Sequence, residues 1–446
     1  MSLAPVPARA SDARVAVDSL VRDYCAAHHI PAFGLVATVA GKPVLTTSLG
    51  LASPAFDVPV DPSTLFHIGS VGKHVTAAAI LRLADRGQVG LDDALAAHLP
   101  DVDERWGRRT IRQLLHHTAG TPDYLRAGLA MDRPFTRDDL MGFTQRFPPF
   151  APAGQTWQYC NAAYTLLGVV IEAATGHSYG DHVTALFRAH GLTDSRADDG
   201  EAVIKARAEP VMWAGDRYRR PPQFSSSVAS VAAGGLLMSL RDAPAWIAAL
   251  DGPALLTAGS RRTLYRPGRF DTGRDTGYGL GWGVDAVDGR PVYFHTGGVP
   301  GFRAFHLRSP EHDFALLAVA TGATSLAPVG FAVAEHLAPG STPLALAEID
   351  DRAPRLTEQA RALAFATAPP DRGALAPELA RLPDPLLAQA MPRLPDPGDA
   401  RAFILVEDTE TDTARLRRYR LTYPQRTVHL QIGHAPDGRI FRIRDA

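Results

Sequence analysis

Ser70-Val71-Gly72-Lys73, between Ile68-Gly69 and His74-Val75-Thr76, sets a hydroxyl and an amine three residues apart. Residues i and i+3 share a face of an α-helix, so the Lys73 amine folds back beside the Ser70 hydroxyl. The surroundings predict that helix. Ser70 stands at its N-terminus, Val75, Ala79, Ile80 and Leu83 recur at helical spacing, and Gly87 ends it. A serine in a first turn also sits among free backbone N–H groups and the positive end of the helix dipole, which favour a developing oxyanion. A lone Ser-x-x-Lys is weakly specific, since a capping serine followed by a solvated lysine is spelled the same way. The rest of the chain has to decide between the two.

The chain has 446 residues, enough for two or three domains. With 46% hydrophobic and 21% charged residues and a formal net charge of −1, it reads as an ordinary globular protein with no polyanion or nucleic acid as its main partner. Cys25 and Cys160 are the only cysteines, so neither a disulfide framework nor a Cys-rich metal site is expected. No apolar run reaches the length of a membrane span. Residues 1–10 lack a basic stretch followed by an apolar core. The compartment stays open: periplasmic or secreted if a leader has been removed, cytoplasmic otherwise.

Working outward from Ser70, Asp12 to His29 forms an amphipathic helical pattern. Phe33 to Val39 and Pro43 to Leu51 are β-rich runs joined at Gly41-Lys42, a hairpin signature. From Ser70 to about Asp251 the pattern is mainly helical. Strands return at Tyr278 to Val284, Pro291 to Phe294, Phe302 to Leu307 and Phe314 to Ala320. An N-terminal hairpin and a later strand set thus bracket a large helical insert, which predicts an α+β fold with one antiparallel sheet built from both ends of residues 1–342. Residues 343–446 read as a small α+β accessory domain. It has a helix at Arg355 to Phe365, a loop-rich connector with eight prolines between Pro369 and Pro397, and strands at Ala402 to Val406, Leu416 to Tyr423, Thr427 to Ile432 and Arg439 to Ile443. Within the connector Arg-Leu-Pro-Asp-Pro occurs twice, at 381–385 and 393–397, too short to be a structural repeat. The basic stripe Arg415, Arg417, Arg418, Arg420, Arg442 and Arg444 is expected to be the solvent face of that sheet.

Acyl transfer at Ser70 needs a base, an oxyanion-binding pair and groups that hold substrate. Tyr159-Cys160-Asn161 directly precedes a helical run through Leu166, Val169 and Val170. His295-Thr296-Gly297-Gly298 follows the run Val292-Tyr293-Phe294, and its glycines leave room for another backbone. Taken singly, Tyr159 reads equally as a buried aromatic, Asn161 as an N-cap and His295 as part of a surface turn.

In order along the chain, the three segments resemble the serine beta-lactamase and penicillin-binding protein superfamily, marked by Ser-x-x-Lys, Tyr-x-Asn and Lys-Thr-Gly or His-x-Gly. Phe66-His67-Ile68-Gly69, Leu114 to Gly120, Gly234-Gly235-Leu236, Tyr278 to Trp282 and Gly301-Phe302-Arg303 resemble the same family's blocks. The resemblance spans about residues 12–340 and implies a beta-lactamase-like fold. It casts Ser70 as nucleophile, Lys73 and Tyr159 as the pair that moves the proton, either being the base, and Asn161, His295, Thr296, Gly297 and Gly298 as substrate-binding residues. The backbone N–H groups of Ser70 and Gly298 would form the oxyanion hole. No metal and no cofactor is implied, and the partner is a small-molecule or short-peptide substrate.

His295 departs from the lysine that lactamases carry at that position, and a histidine is mostly neutral at pH 7. Carboxylate recognition should weaken, which favours the esterase and D-amino-acid amidase or peptidase branch. Arg303 is a candidate replacement cation. The alternatives are a penicillin-binding or sensor protein that acylates without turnover, and a beta-lactamase. No His-Glu-x-x-His helix, Gly-x-Ser-x-Gly elbow or phosphate-binding glycine loop is present.

Overall fold

Phe314 to Thr321 is buried at every position, the pattern of a strand covered on both faces. The computed structural model describes residues 9–125, 136–198, 202–221, 232–366, 368, 370–392, 394, 402–423 and 427–445. In chain order these include α1 (Arg9–Ala27), β1 (Ala32–Val39), β2 (Lys42–Ser53), β3 (Val58–Pro59), α2 (Lys73–Asp85) and α3 (Asn161–Thr175). Then follow β4 (Gly283–Val287), β5 (Arg290–Val299), β6 (Phe302–Ser309), β7 (Phe314–Thr321), α4 (Ala327–Leu337) and α5 (Pro354–Ala364). Last come β8 (Ala402–Glu410), β9 (Arg415–Thr422), β10 (Thr427–His434) and β11 (Ile440–Asp445).

The main sheet is antiparallel with order β3-β2-β1-β7-β6-β5-β4, so the N-terminal hairpin joins the later meander through β1 and β7, with Phe33 opposite Ala320. Alternation along the strands makes two cores. Val36, Leu317 and Val319 pack into the helical insert around α2 and α3, while Phe33, Leu35, Leu316 and Ala318 pack under α1 and α4. The expected α+β, beta-lactamase-like architecture is present. No helix among the described residues is long and apolar enough to cross a membrane. Cys25 and Cys160 are free and buried.

Two strand boundaries differ from the sequence reading. Residues 278–282 form a loop rather than the start of a strand, because Gly281 has φ +76° and lies against the backbone of Lys73 and His74. His295 to Gly298 lie inside β5, not in a turn after it, paired with His306 to Arg303 of β6. The second Arg-Leu-Pro-Asp-Pro copy, apart from Leu394, falls outside the described residues.

The basic stripe is the main correction. Strands β8 to β11 form a four-stranded antiparallel meander with its own core, where Tyr419, Leu421, Leu430 and Ile432 pack with Ala360 and Leu363 of α5. Its other face does not meet solvent, and Arg418 there is 1% exposed, while Arg417 is buried on the α5 face, where it holds Asp351 and Thr357. Arg418 reaches across to Asp285 of β4 through Nη1 and Nη2 at 3.1 and 2.6 Å, donates to the Ala286 carbonyl, and holds Glu407 through Nε. Arg444 donates to the carbonyls of Val284 and Gly277. Strand β4 is an edge, so its outward carbonyls need partners, and the arginines supply them. A stripe that alternation alone assigns to solvent is thus a polar interface between two sheets.

Burial works to raise the Asp285 pKa, but the Arg418 charge and its hydrogen bonds outweigh this and hold the carboxyl at about 2. Breaking a buried ion pair from one side costs about 3–5 kcal/mol. Asp285→Ala should therefore lose about 3 kcal/mol of unfolding free energy at pH 7 by denaturant titration. A depressed carboxyl stabilises above its unfolded pKa of about 4 and loses that contribution toward pH 2, so the gap to wild type should shrink across that window. A loss below about 1 kcal/mol at pH 7 would contradict the interface role.

Candidate active site

Ser70 does not begin the α-helix itself. It sits in a 3-10 turn, Gly69–Gly72, that runs into α2 at Lys73, so the hydroxyl and amine straddle the junction. Three backbones converge on that turn, and glycine permits it. A Cβ on Gly69, at φ +51°, would lie 2.6 Å from the Gly298 nitrogen, and one on Gly297 would lie 2.0 Å from the Ile68 carbonyl oxygen. Strand β5 is consequently pressed against Ser70, which brings Gly298 beside it.

Lys73 is fully buried. Its Nζ lies 3.1 Å from Ser70 Oγ, 2.8 Å from Asn161 Oδ1 and 2.6 Å from the Ala233 carbonyl, and 4.7 Å from the centre of the Tyr159 ring. Burial outweighs the attraction of Asp123 and lowers its pKa from that of an ordinary lysine to about 7. The neutral amine suits these partners. Asn161 Oδ1 and the Ala233 carbonyl only accept, so they take its two N–H bonds and the lone pair is left for the Ser70 hydroxyl proton.

The loop before α3 supplies the next two groups. Cys160 caps α3, its Sγ accepting from the Ala163 N–H, so Asn161 is the first helical residue rather than the cap. The Asn161 N–H donates to Asp123 Oδ2, which fixes where its side chain meets Lys73. Tyr159 is held by its ring against His117 and Lys73. Its hydroxyl is buried and faces Ser70. Burial raises its pKa, with Ser70 offsetting only part of the rise, so at neutral pH it is a phenol.

His295 is buried, and both its ring nitrogens are occupied. Nδ1 is 2.6 Å from the Thr296 carbonyl, an acceptor only, so Nδ1 carries the proton. Nε2 then accepts from the Tyr278 hydroxyl at 3.0 Å. Burial first and the Lys73 charge second push its pKa down to about 3. Arg303 is spent on the carbonyls of Val299, Phe302 and Ala323.

The structure therefore gathers Ser70, Lys73, Tyr159 and Asn161 around one amine, with His295 to Gly298 on the adjoining strand. Sequence reasoning missed Asp123, Tyr278 and the Ala233 carbonyl. Tyr278 stands among closely spaced glycines, a signal of tight backbone approach. Asp123 follows Thr121-Pro122 in an ordinary turn, and a carbonyl has no residue type to detect. A cleft of about 990 Å³ is lined by residues such as Asp251, Tyr265 and Arg308 and by none of these groups.

The family model for Beta-lactamase matches residues 17–337, and the chain belongs to that family. It is 26% identical over 294 residues to penicillin-binding protein 4* of Bacillus subtilis, covering 60% of this chain and 63% of that protein. It is 28% identical over 278 residues to a D-aminopeptidase of Brucella canis, covering 60% and 52%. The chain thus spans between about a third and two thirds of the length of the curated relatives it matches. Among solved structures, a penicillin-binding protein homologue from Pyrococcus abyssi, described as octameric, superposes with a TM-score of 0.64 at 18% identity, covering 94% of this chain and 95% of that one.

Because the buried histidine His295 titrates near 3 and Lys73 near 7, nucleophilicity of Ser70 should follow the lysine. Second-order labelling of Ser70 by an alkyl fluorophosphonate should rise about tenfold per pH unit up to about 7 and then level off. A rate still climbing between pH 8 and 10 would contradict a neutral Lys73.

Proposed function

We propose that the protein is a serine acyl hydrolase acting on small esters or amides, including D-amino-acid amides or short peptides. The observation that carries this reading is the buried Lys73 amine 3.1 Å from Ser70 Oγ, with its remaining hydrogen-bonding capacity taken by Asn161 and Ala233. Ser70 Oγ attacks the carbonyl carbon while its proton passes to Lys73. The oxyanion forms against the N–H groups of Ser70 and Gly298. As the tetrahedral adduct collapses, the leaving alcohol or amine takes a proton from the Tyr159 phenol, and Lys73 restores the tyrosine. Water then repeats the sequence on the acyl-enzyme, releasing acid and freeing Ser70. The base is Lys73 and the donor Tyr159, since burial favours a neutral form of each.

His295 speaks against recognition through a substrate carboxylate. Its one N–H is given to the backbone and its imidazole is neutral, so it offers no cation to a substrate carboxylate. The similarity to penicillin-binding protein 4* keeps acylation by a beta-lactam as the reading to exclude.

Turnover of short alkyl esters, D-alaninamide, D-Ala-D-Ala and a chromogenic cephalosporin distinguishes these readings. Esters or the amide should turn over, Ser70→Ala should fall to the uncatalysed rate, and Tyr159→Phe should lose about 10²- to 10⁴-fold. Stoichiometric acylation by the cephalosporin with no ester or amide turnover would replace the hydrolase reading with a sensor.

A further inference from the structure

We propose that the cavity beside Tyr159 is a specificity pocket for a phenyl-sized apolar group carried by the substrate, and that the C-terminal sheet completes it. The proposal rests on Ser70 being the reacting nucleophile and adds where the substrate's largest group lies.

The cavity holds about 320 Å³. One wall is the loop Trp157–Tyr159 with Phe270. The other comes from beyond residue 377: Leu386 and Met391 of the connector and Phe441 and Arg444 of β11. Tyr159 is common to the cavity and to the reacting groups, its ring lying 4.7 Å from the Lys73 amine that touches Ser70. Ser70 and Lys73 do not line the cavity themselves, so a substrate group would reach it past the Tyr159 ring. An apolar cavity of about 150 Å³ takes up benzene, so a phenyl ring with a short linker fits. Trp157, Phe270 and Phe441 offer aromatic surface for a ring, and Met391 is a side chain that adapts to one.

A packing gap would be lined by apolar atoms alone. Here Trp157 Nε1, Arg442 Nε and Glu378 Oε2 are all buried without hydrogen-bond partners among the described residues, and all three residues line this cavity. Glu378 is 2% exposed and uses only its other oxygen, on Thr272 and Arg274. Buried polar atoms without partners are few in folded proteins, and their gathering around one space beside a nucleophile marks a place where a ligand supplies the partners. The aromatic walls assign the body of that ligand, and the unpaired N–H groups its polar edge.

The test compares kcat/KM for methyl acetate, methyl phenylacetate and benzyl acetate by pH-stat, so that the ring is absent, on the acyl side or on the leaving side. In Met391→Trp, which fills the cavity, the ratio of the preferred aryl ester to methyl acetate should fall at least tenfold. An unchanged ratio overturns the pocket. If that variant does not fold, Met391→Ala should raise the ratio of the naphthyl to the phenyl ester at least fivefold, and no change there also overturns it. A wild-type protein that turns over none of these esters and no D-alaninamide sinks the hydrolase reading alone. Calorimetry of phenylacetamide on the Ser70→Ala protein then decides, with tenfold weaker binding after Met391→Trp supporting the pocket and equal or absent binding overturning it.

Discussion

A lysine ammonium removed from water must meet acceptors on every N–H or give up its proton, and much of this structure is arranged around that demand at Lys73. Asn161 enters the site because its oxygen answers one N–H. The segment at Ala232 to Gly235 passes close because a carbonyl answers another. Asp123 holds the start of α3 in register with both. Burial lowers the pKa of the amine to about 7, and in its neutral form those two acceptors take its N–H bonds while its lone pair faces Ser70. The glycines at 69 and 297 serve the same end, since any side chain there would push β5 away from Ser70.

The C-terminal sheet is coupled to this site through the edge of the main sheet. Arg444 grips Gly277 and Val284, Gly277 precedes Tyr278, and the Tyr278 hydroxyl donates to Nε2 of His295. Arg418 and Asp285 lock the two sheets face to face nearby. A path of named hydrogen bonds thus runs from β11 to the strand that carries Gly297 and Gly298. The same strand β11 walls the cavity beside Tyr159. The part of the chain outside the matched family region shapes the site from the side.

Legibility in the sequence follows the range of the physics. Alternation and turn residues are local, so the hairpin, the apolar β7 and the tetrad at Ser70 could be read directly, and the joining of the chain ends into one sheet followed from their order. The Ser70, Tyr159-Asn161 and His295 segments were legible because each carries a side chain with a known chemical use. What the sequence hides is what depends on partners far along the chain. Alternation correctly places Arg418, Arg442 and Arg444 on one face, but not what covers that face, so residues that satisfy an edge strand read as solvated. His295 reads as a turn residue because its neighbouring glycines signal bends, whereas the structure uses them to admit Ile68 against a straight strand. Its pKa near 3 is set by burial that no local pattern reports.

The central claim is the protonation state of Lys73, and the composition makes it measurable. The chain has three lysines, Lys42, Lys73 and Lys205, so a ¹³Cε-lysine titration by NMR gives three resolvable signals, with Lys73→Arg assigning the one of interest. The account predicts one lysine titrating near pH 7 and absent from the Lys73→Arg spectrum. A Lys73 signal titrating near 10 would mean a permanent ammonium beside Ser70, and would contradict the account.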